Sequence, residues 1–338
     1  MPTQPACLTQ IQPSNFVFLI SLIAGFVTFS SQATTTLAAS PFETYVSDDG
    51  EPARLNKIVT AAFNRANIDI ELKVMRDAFL GSSVLTGKVD GEFAHVDLGE
   101  NKSDFLLSDV YLPIYLYAVS KRYDVENIKL FPHLNNNRVA IENRFANTPT
   151  FRLLKEIKWS RNPSTFDAFR QLADDRAPYL ITTQLLANEF NTLLAYDDEE
   201  LLHFSAKPLV HSGFQLAIRN TVTNAAKTIH AFNSAVADMQ HEGEFNVLLG
   251  IAWLTKDIDG DGIADFIGHS SITRPYHRHD LAYSLDGMAT SEKSRFFIDG
   301  QAYASRQQSD SALPQLAEEH TTPSLLDATI YRQLIRKW

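Results

Sequence analysis

The segment Asp257-Ile258-Asp259-Gly260-Asp261-Gly262-Ile263-Ala264-Asp265 carries the most specific chemical pattern in the sequence. Aspartates at alternate positions, with glycine at the sixth, wrap oxygen donors around one hard cation. Gly262 permits the sharp turn, Ile263 offers its main-chain carbonyl, and Asp265 fills the ninth position. Four carboxylates this close repel one another strongly without a counter-cation. An EF-hand needs glutamate at position twelve, where Gly268 stands, so a paired sensor is not expected. We expect a structural Ca2+ held by Asp257, Asp259, Asp261, Ile263 and Asp265; the alternative is an acidic turn. His277 and His279 share a face only if they lie in a strand, and no third ligand is fixed by spacing. No Gly-x-Ser-x-Gly, Walker or His-Glu-x-x-His pattern occurs.

The elements that position these residues follow from hydrophobic period. Within Ala53 to Ala66, Leu55, Ile58, Val59, Ala62 and Phe63 form one helical stripe. Ile68, Ile70, Leu72 and Val74 then alternate with charged residues, as in a strand. Val89–Val96 is strand-like, and Leu112–Val119 is a continuous apolar strand covered on both faces. Arg138–Ile141, Tyr179–Thr182 and Phe214–Ile218 are further strands. Thr165–Ala173, Thr183–Leu194 and Thr221–Gln240 are helices. Strands alternating with helices predict an α/β fold with mostly parallel sheets. Beyond Trp253, Phe296–Tyr303 reads as a hairpin around Asp299-Gly300. Ala304–Pro323 is expected to be a linker. Ser324–Trp338 is expected to be a helix with Ser324 as cap.

Composition narrows the function. The chain has 338 residues, 44% hydrophobic and 21% charged, which excludes disorder and suits roughly two domain-sized units. A net charge of −10 with no basic run excludes nucleic acid as a partner. Met1–Ser40 carries no Asp, Glu, Lys or Arg, and contains the apolar run Phe16–Phe29 followed by small residues. That is the pattern of a secretory signal peptide, assigned to residues 1–39 with cleavage after Ala39. The run is too short for a membrane span, which needs about 20 residues. An uncleaved anchor is the alternative. The single cysteine, Cys7, precedes the run, so the mature chain has no thiol chemistry and is not expected to span a membrane.

Several segments stand in an order that resembles bacterial periplasmic solute-binding proteins of type II, family 3. They are Phe42-Glu43-Thr44-Tyr45 before the first helix; Leu85–His95 with its Asp90-Gly91-Glu92; Leu107–Tyr111; Asn137–Ile141; Phe169–Thr182; and His241–Trp253. The resemblance covers roughly 210 residues by the spacing of these segments. It implies two α/β lobes, each with parallel or mixed sheets flanked by helices, joined by two crossing strands. Lobe 1 would comprise 41–120 and 205–253, lobe 2 would comprise 121–204, and 254–338 would be an extension. The acidic loop in that extension resembles the calcium loops of extracellular repeat modules. Amino-acid binders of the family carry an arginine before the Phe-Ser segment, where Asn101 stands here, and an aspartate in the second lobe, where Arg176–Tyr179 stands. An α-amino-acid ligand is therefore not carried over.

In such a fold the cleft lies at the carboxyl ends of the strands. Glu92 and His95, after a strand, are expected to accept hydrogen bonds or pair with a cation and to donate, respectively. Tyr45 and Tyr111 could stack on a ligand or simply pack. Arg138 and Glu142 flank a strand and would either pair with each other or touch ligand. Arg76 is a further candidate. The resemblance implies a monomeric, non-catalytic periplasmic protein that captures a small polar ligand by hinge closure and works with a membrane transporter or sensor. Two other readings stay open. One is a cell-envelope hydrolase with a metal around Asp257–Asp265 and His277/His279. The other is an adaptor whose terminal helix docks a partner.

Overall fold

The computed structural model describes residues 34–48, 53–315 and 323–338. Strand β1 (Thr35–Ala39) lies between β2 (Ile70–Val74) and β3 (Gly91–Val96), parallel to both. Leu37, Ala38 and Ala39 are buried. The expected cleavage after Ala39 falls at the end of this strand, so a cut there would remove the middle strand of the first sheet. The apolar run Phe16–Phe29 and Cys7 lie outside the described residues. Helix α1 (Arg54–Arg65) buries the expected stripe against this sheet. Then follow α2 (Asp77–Leu85), β4 (Phe105–Leu107) and β5 (Leu112–Ser120). Eight of the nine β5 residues are buried, as an uninterrupted apolar run requires.

The chain crosses along β5 into a second lobe. This lobe contains β6 (Arg138–Glu142), α3 (Asn143–Ala146), α4 (Pro149–Arg152), β7 (Lys158–Asn162), α5 (Thr165–Ala173), β8 (Tyr179–Thr183), α6 (Gln184–Tyr196) and β9 (His203–Phe204). It returns along β10 (Val210–Arg219) to α7 (Ala225–His241) and α8 (Glu244–Leu249). The strand order is β2-β1-β3-β10-β5-β8-β6-β7, with β4 on β10 and β9 on β5. β5 and β10 run antiparallel side by side, Leu112 opposite Phe214 and Leu116 opposite Val210, and they alone join the two halves of the sheet. Gly213 is needed at that junction, because a Cβ there would sit 2.1 Å from Val110 Cγ1. The expected two-lobed α/β architecture is therefore present.

A second sheet, β13-β11-β12-β14-β15, forms the extension. Its strands are β11 (Leu254–Lys256), β12 (Asp265–Gly268), β13 (Tyr283–Ser284), β14 (Phe296–Ile298) and β15 (Gln301–Tyr303). The β14–β15 hairpin turns at Asp299-Gly300 as expected. The extension leans on the crossing strands: Tyr283 donates to the Pro113 carbonyl at 2.7 Å and Tyr115 donates to that of Ser284 at 3.0 Å. The expected linker contains α9 (Arg306–Ala312), started by the Ser305 hydroxyl and braced by Arg306–Asp310 at 2.7 Å. Helix α10 (Ala328–Ile335) is capped by Asp327, not by the expected Ser324. Its apolar face is covered within the chain, since Tyr331 packs among Phe166, Phe169 and Phe190 of the second lobe.

Ser324 has a different role at the seam between lobes. Arg54 of α1 is 3% exposed and ion-pairs with Glu189 of α6, across from it in the other lobe. Arg54 also donates to the Leu249 carbonyl and the Thr44 hydroxyl. The second oxygen of Glu189 accepts from Ser324 Oγ at 3.0 Å and Leu325 N at 2.7 Å. One carboxylate thus ties both lobes and the C-terminal strap. Glu189→Ala strands a buried guanidinium, and should lower the unfolding free energy by about 3–5 kcal/mol, measured by urea denaturation.

Candidate functional site

At the carboxyl ends of β1 and β3 the two lobes border a pocket of about 140 Å³. The first lobe contributes Ser40, Asp77, Glu92, His95 and Glu100, with Phe42 and Phe214 as apolar walls. The second contributes Arg144, Phe145 and Thr148 from α3 and the turn after it. Glu92 and Glu100 also border a wider outer opening of about 540 Å³, together with Lys102, Asn147 and Arg152. The placement follows from local sequence. Asp77 opens α2 just after β2, and Arg144 comes two residues after the end of β6, so both fall where strand ends converge.

Electrostatics inside the cavity are largely arranged by pairing. Lys102 Nζ lies 2.8 Å from Glu92 Oε1, both mostly shielded from solvent. Arg144 is held in three ways: it donates to the Pro41 carbonyl, its Nε is 3.3 Å from Glu142 Oε2, and its guanidinium stacks 3.9 Å from the Phe42 ring centre. Glu142 is buried, and burial pushes its carboxyl up despite Arg144 and the Thr165 hydroxyl at 2.8 Å. Burial, helped by Lys102, holds His95 below its ordinary value of 6.5.

Glu92 and His95 line the cavity from within β3, not from a loop after it. The other expected ligand residues lie elsewhere. Tyr45 is buried at the lobe seam, stacked on Phe42 at 4.5 Å, with its hydroxyl 2.9 Å from Thr183 Oγ1. Burial pushes that phenol up to about 12. Tyr111 is a core residue whose hydroxyl donates to the Phe93 carbonyl. Arg76 is exposed at the start of α2 and Arg138 is exposed at the far end of β6. Arg138 and Glu142 cannot pair: four residues of strand separate them by about 13 Å, and Arg144 is the partner of Glu142 instead. Asp77, Glu100, Arg144 and Thr148 were missed. The rule that sites follow strand ends points to Asp77 and Arg144, whereas nothing local marks Glu100 or Thr148.

In the acidic loop, Asp257, Asp259 and Asp261 bring carboxylate oxygens within 4.8 Å of one another. The Asp257 carboxylate accepts from Gly260 N and Gly262 N, and both glycines have positive φ. Ile263 N donates to Asp261. Asp265 stands apart from this trio in β12, accepting from Arg295 N at 2.8 Å, while the Arg295 guanidinium pairs with Asp259. His279 packs edge-on against Phe266 and Phe296, and His277 accepts from Arg274 N; among the described residues neither joins the aspartate group.

Two α/β lobes joined by two adjacent crossing strands, with a polar cavity at the strand ends, define a two-lobed periplasmic-binding-protein-like fold. Solved structures of this type are similar to the chain. The ligand-binding core of GluR0 complexed with L-glutamate matches with a TM-score of 0.53 at 9% identity, covering 65% of this chain and 98% of that one. The GluR0 core from Nostoc punctiforme, also with L-glutamate, matches at 0.52 and 14%, covering 63% and 96%. A mutant of ArgBP from T. maritima matches at 0.50 and 21%, covering 63% and 93%. These likenesses are of fold, and about a third of this chain lies outside each. No protein-family model matches the chain, and no curated protein matches it. Among the described residues, no helix is long and apolar enough to cross a membrane.

The His95 shift fixes a sign. Because its folded value is depressed, the unfolded chain takes up the proton first. The stability of the neutral, buried ring is complete above about pH 6.5 and is lost as pH falls through the lower folded value. Between pH 6.5 and 5, wild type should lose up to about 1.4 kcal/mol per pH unit more than His95→Gln, read from chemical denaturation at each pH.

Proposed function

We propose that this chain is an exported, non-catalytic solute-binding protein that captures a small polar molecule between its lobes and serves a membrane transporter or a membrane sensor. The observation that carries this reading is the inter-lobe pocket lined by charged and polar side chains from both lobes. The charge-free leader pattern supports export to the periplasm. The sensor variant gains support from the strap and extension, which bind the lobes and crossing strands to one another. A thermal-shift screen of residues 34–338 against small metabolites tests the reading. One chemical class should raise the melting temperature in a saturable way, and a folded sample that no class stabilises would contradict it.

We also propose that the acidic loop holds one structural Ca2+ through Asp257, Asp259 and Asp261, with the Ile263 carbonyl as a further ligand. Asp265 is better explained as the anchor of Arg295 than as a direct ligand. Titration calorimetry should give one Ca2+ site, weaker for Mg2+ and abolished by the combined change Asp257→Asn and Asp259→Asn. An equal heat from the variant would rule the site out.

A further inference from the structure

We infer that the inner cavity takes the cationic head of a small amine or guanidine, an assignment that rests on this cavity being the ligand site. Three carboxylates line it, those of Asp77, Glu92 and Glu100, against one guanidinium, Arg144. The positive charges near it are already engaged. Arg144 is shared between the Pro41 carbonyl, Glu142 and the face of Phe42. Lys102 is bonded to Glu92. His95 is 4% exposed, and its desolvation favours the neutral ring. Among the described residues, Asp77 and Glu100 have no cation within ion-pair distance, and together they leave the cavity with two unbalanced negative charges.

An anionic head placed here would meet like charge from Asp77, Glu92 and Glu100, with no free charged donor to receive it, which is unfavourable. A cationic head instead replaces its lost water with Asp77 and Glu100. Size adds a second limit. The inner pocket offers about 140 Å³ and opens outward, room for the head and the first carbons of a ligand. A longer ligand extends into the outer opening, where exposed Arg152 is the one bordering cation, among the described residues, outside any ion pair. A zwitterion is thereby oriented with its cation inward and its carboxylate outward.

Calorimetry on residues 34–338 tests this with agmatine and putrescine as cations, γ-aminobutyrate as zwitterion and glutarate as dianion. The cations should bind, glutarate should not, and Asp77→Asn with Glu100→Gln should weaken agmatine by about tenfold or more. Both carboxylates are exposed, and the circular dichroism spectrum of the variant confirms that it folds. Arg152→Ala should weaken γ-aminobutyrate, whose outer carboxylate it would receive, and should not weaken agmatine, whose outer cation it would repel. Glutarate binding in place of the cations, or full agmatine affinity in the folded double variant, would overturn the inference while leaving a solute-binding protein. Failure of all four probes would overturn the inference too. A metabolite screen that still finds a stabilising compound would then preserve the broader reading, and one that finds none would remove both.

Discussion

The Arg54–Glu189 pair is the interaction on which the arrangement of the lobes depends. It is almost wholly withdrawn from water, so neither charge is tolerable alone. Each is therefore surrounded by further partners. Arg54 also reaches the end of α8 and the Thr44 hydroxyl, while Glu189 receives Ser324 and Leu325. Four separate stretches of chain converge on two side chains. Moving the strap breaks the bonds of both Ser324 and Leu325 to Glu189, and moving α6 leaves Arg54 without its carboxylate, which makes the seam cooperative.

Other contacts at the seam work in the same sense. Tyr45 meets Thr183, and Arg144 reaches across to Pro41 and Phe42. Tyr331 of α10 sits among second-lobe aromatics while the Glu43 carboxylate of the first lobe, added to burial, pushes its phenol far above the ordinary range. The extension meanwhile packs on β5, through Pro113 and Tyr115, where a hinge between lobes would flex. Any rotation about β5 and β10 must break contacts that join residues on opposite sides of those strands.

Elements with strong periodicity were legible in the sequence. The α1 stripe, the buried run of β5 and the Asp299-Gly300 hairpin each have a local cause that tertiary contacts only reinforce. Thr35–Ala39 was not legible as a strand, because small apolar residues after an apolar run read equally as the end of a leader. Its strand character comes from β2 and β3 on either side. Residue type left Tyr45 and Tyr111 open between ligand stacking and packing; their rings fill the core and their hydroxyls find internal partners. Arg138 and Glu142 were open between an ion pair and ligand contact; strand geometry puts them at opposite ends and gives Glu142 to Arg144. Long-range pairs such as Arg54 with Glu189 leave no local signature at all.

The seam and the cavity share one energy balance. Contacts that draw the lobes together without help from a guest hold this arrangement, while the inner chamber still communicates with the outer opening. A ligand then gains only from what it adds to an already closed protein: neutralisation of Asp77 and Glu100 and the filling of a small apolar-walled space. The binding free energy is then not reduced by a cost of drawing the lobes together. The strap that grips Glu189 adds to the contacts that hold the lobes in this arrangement.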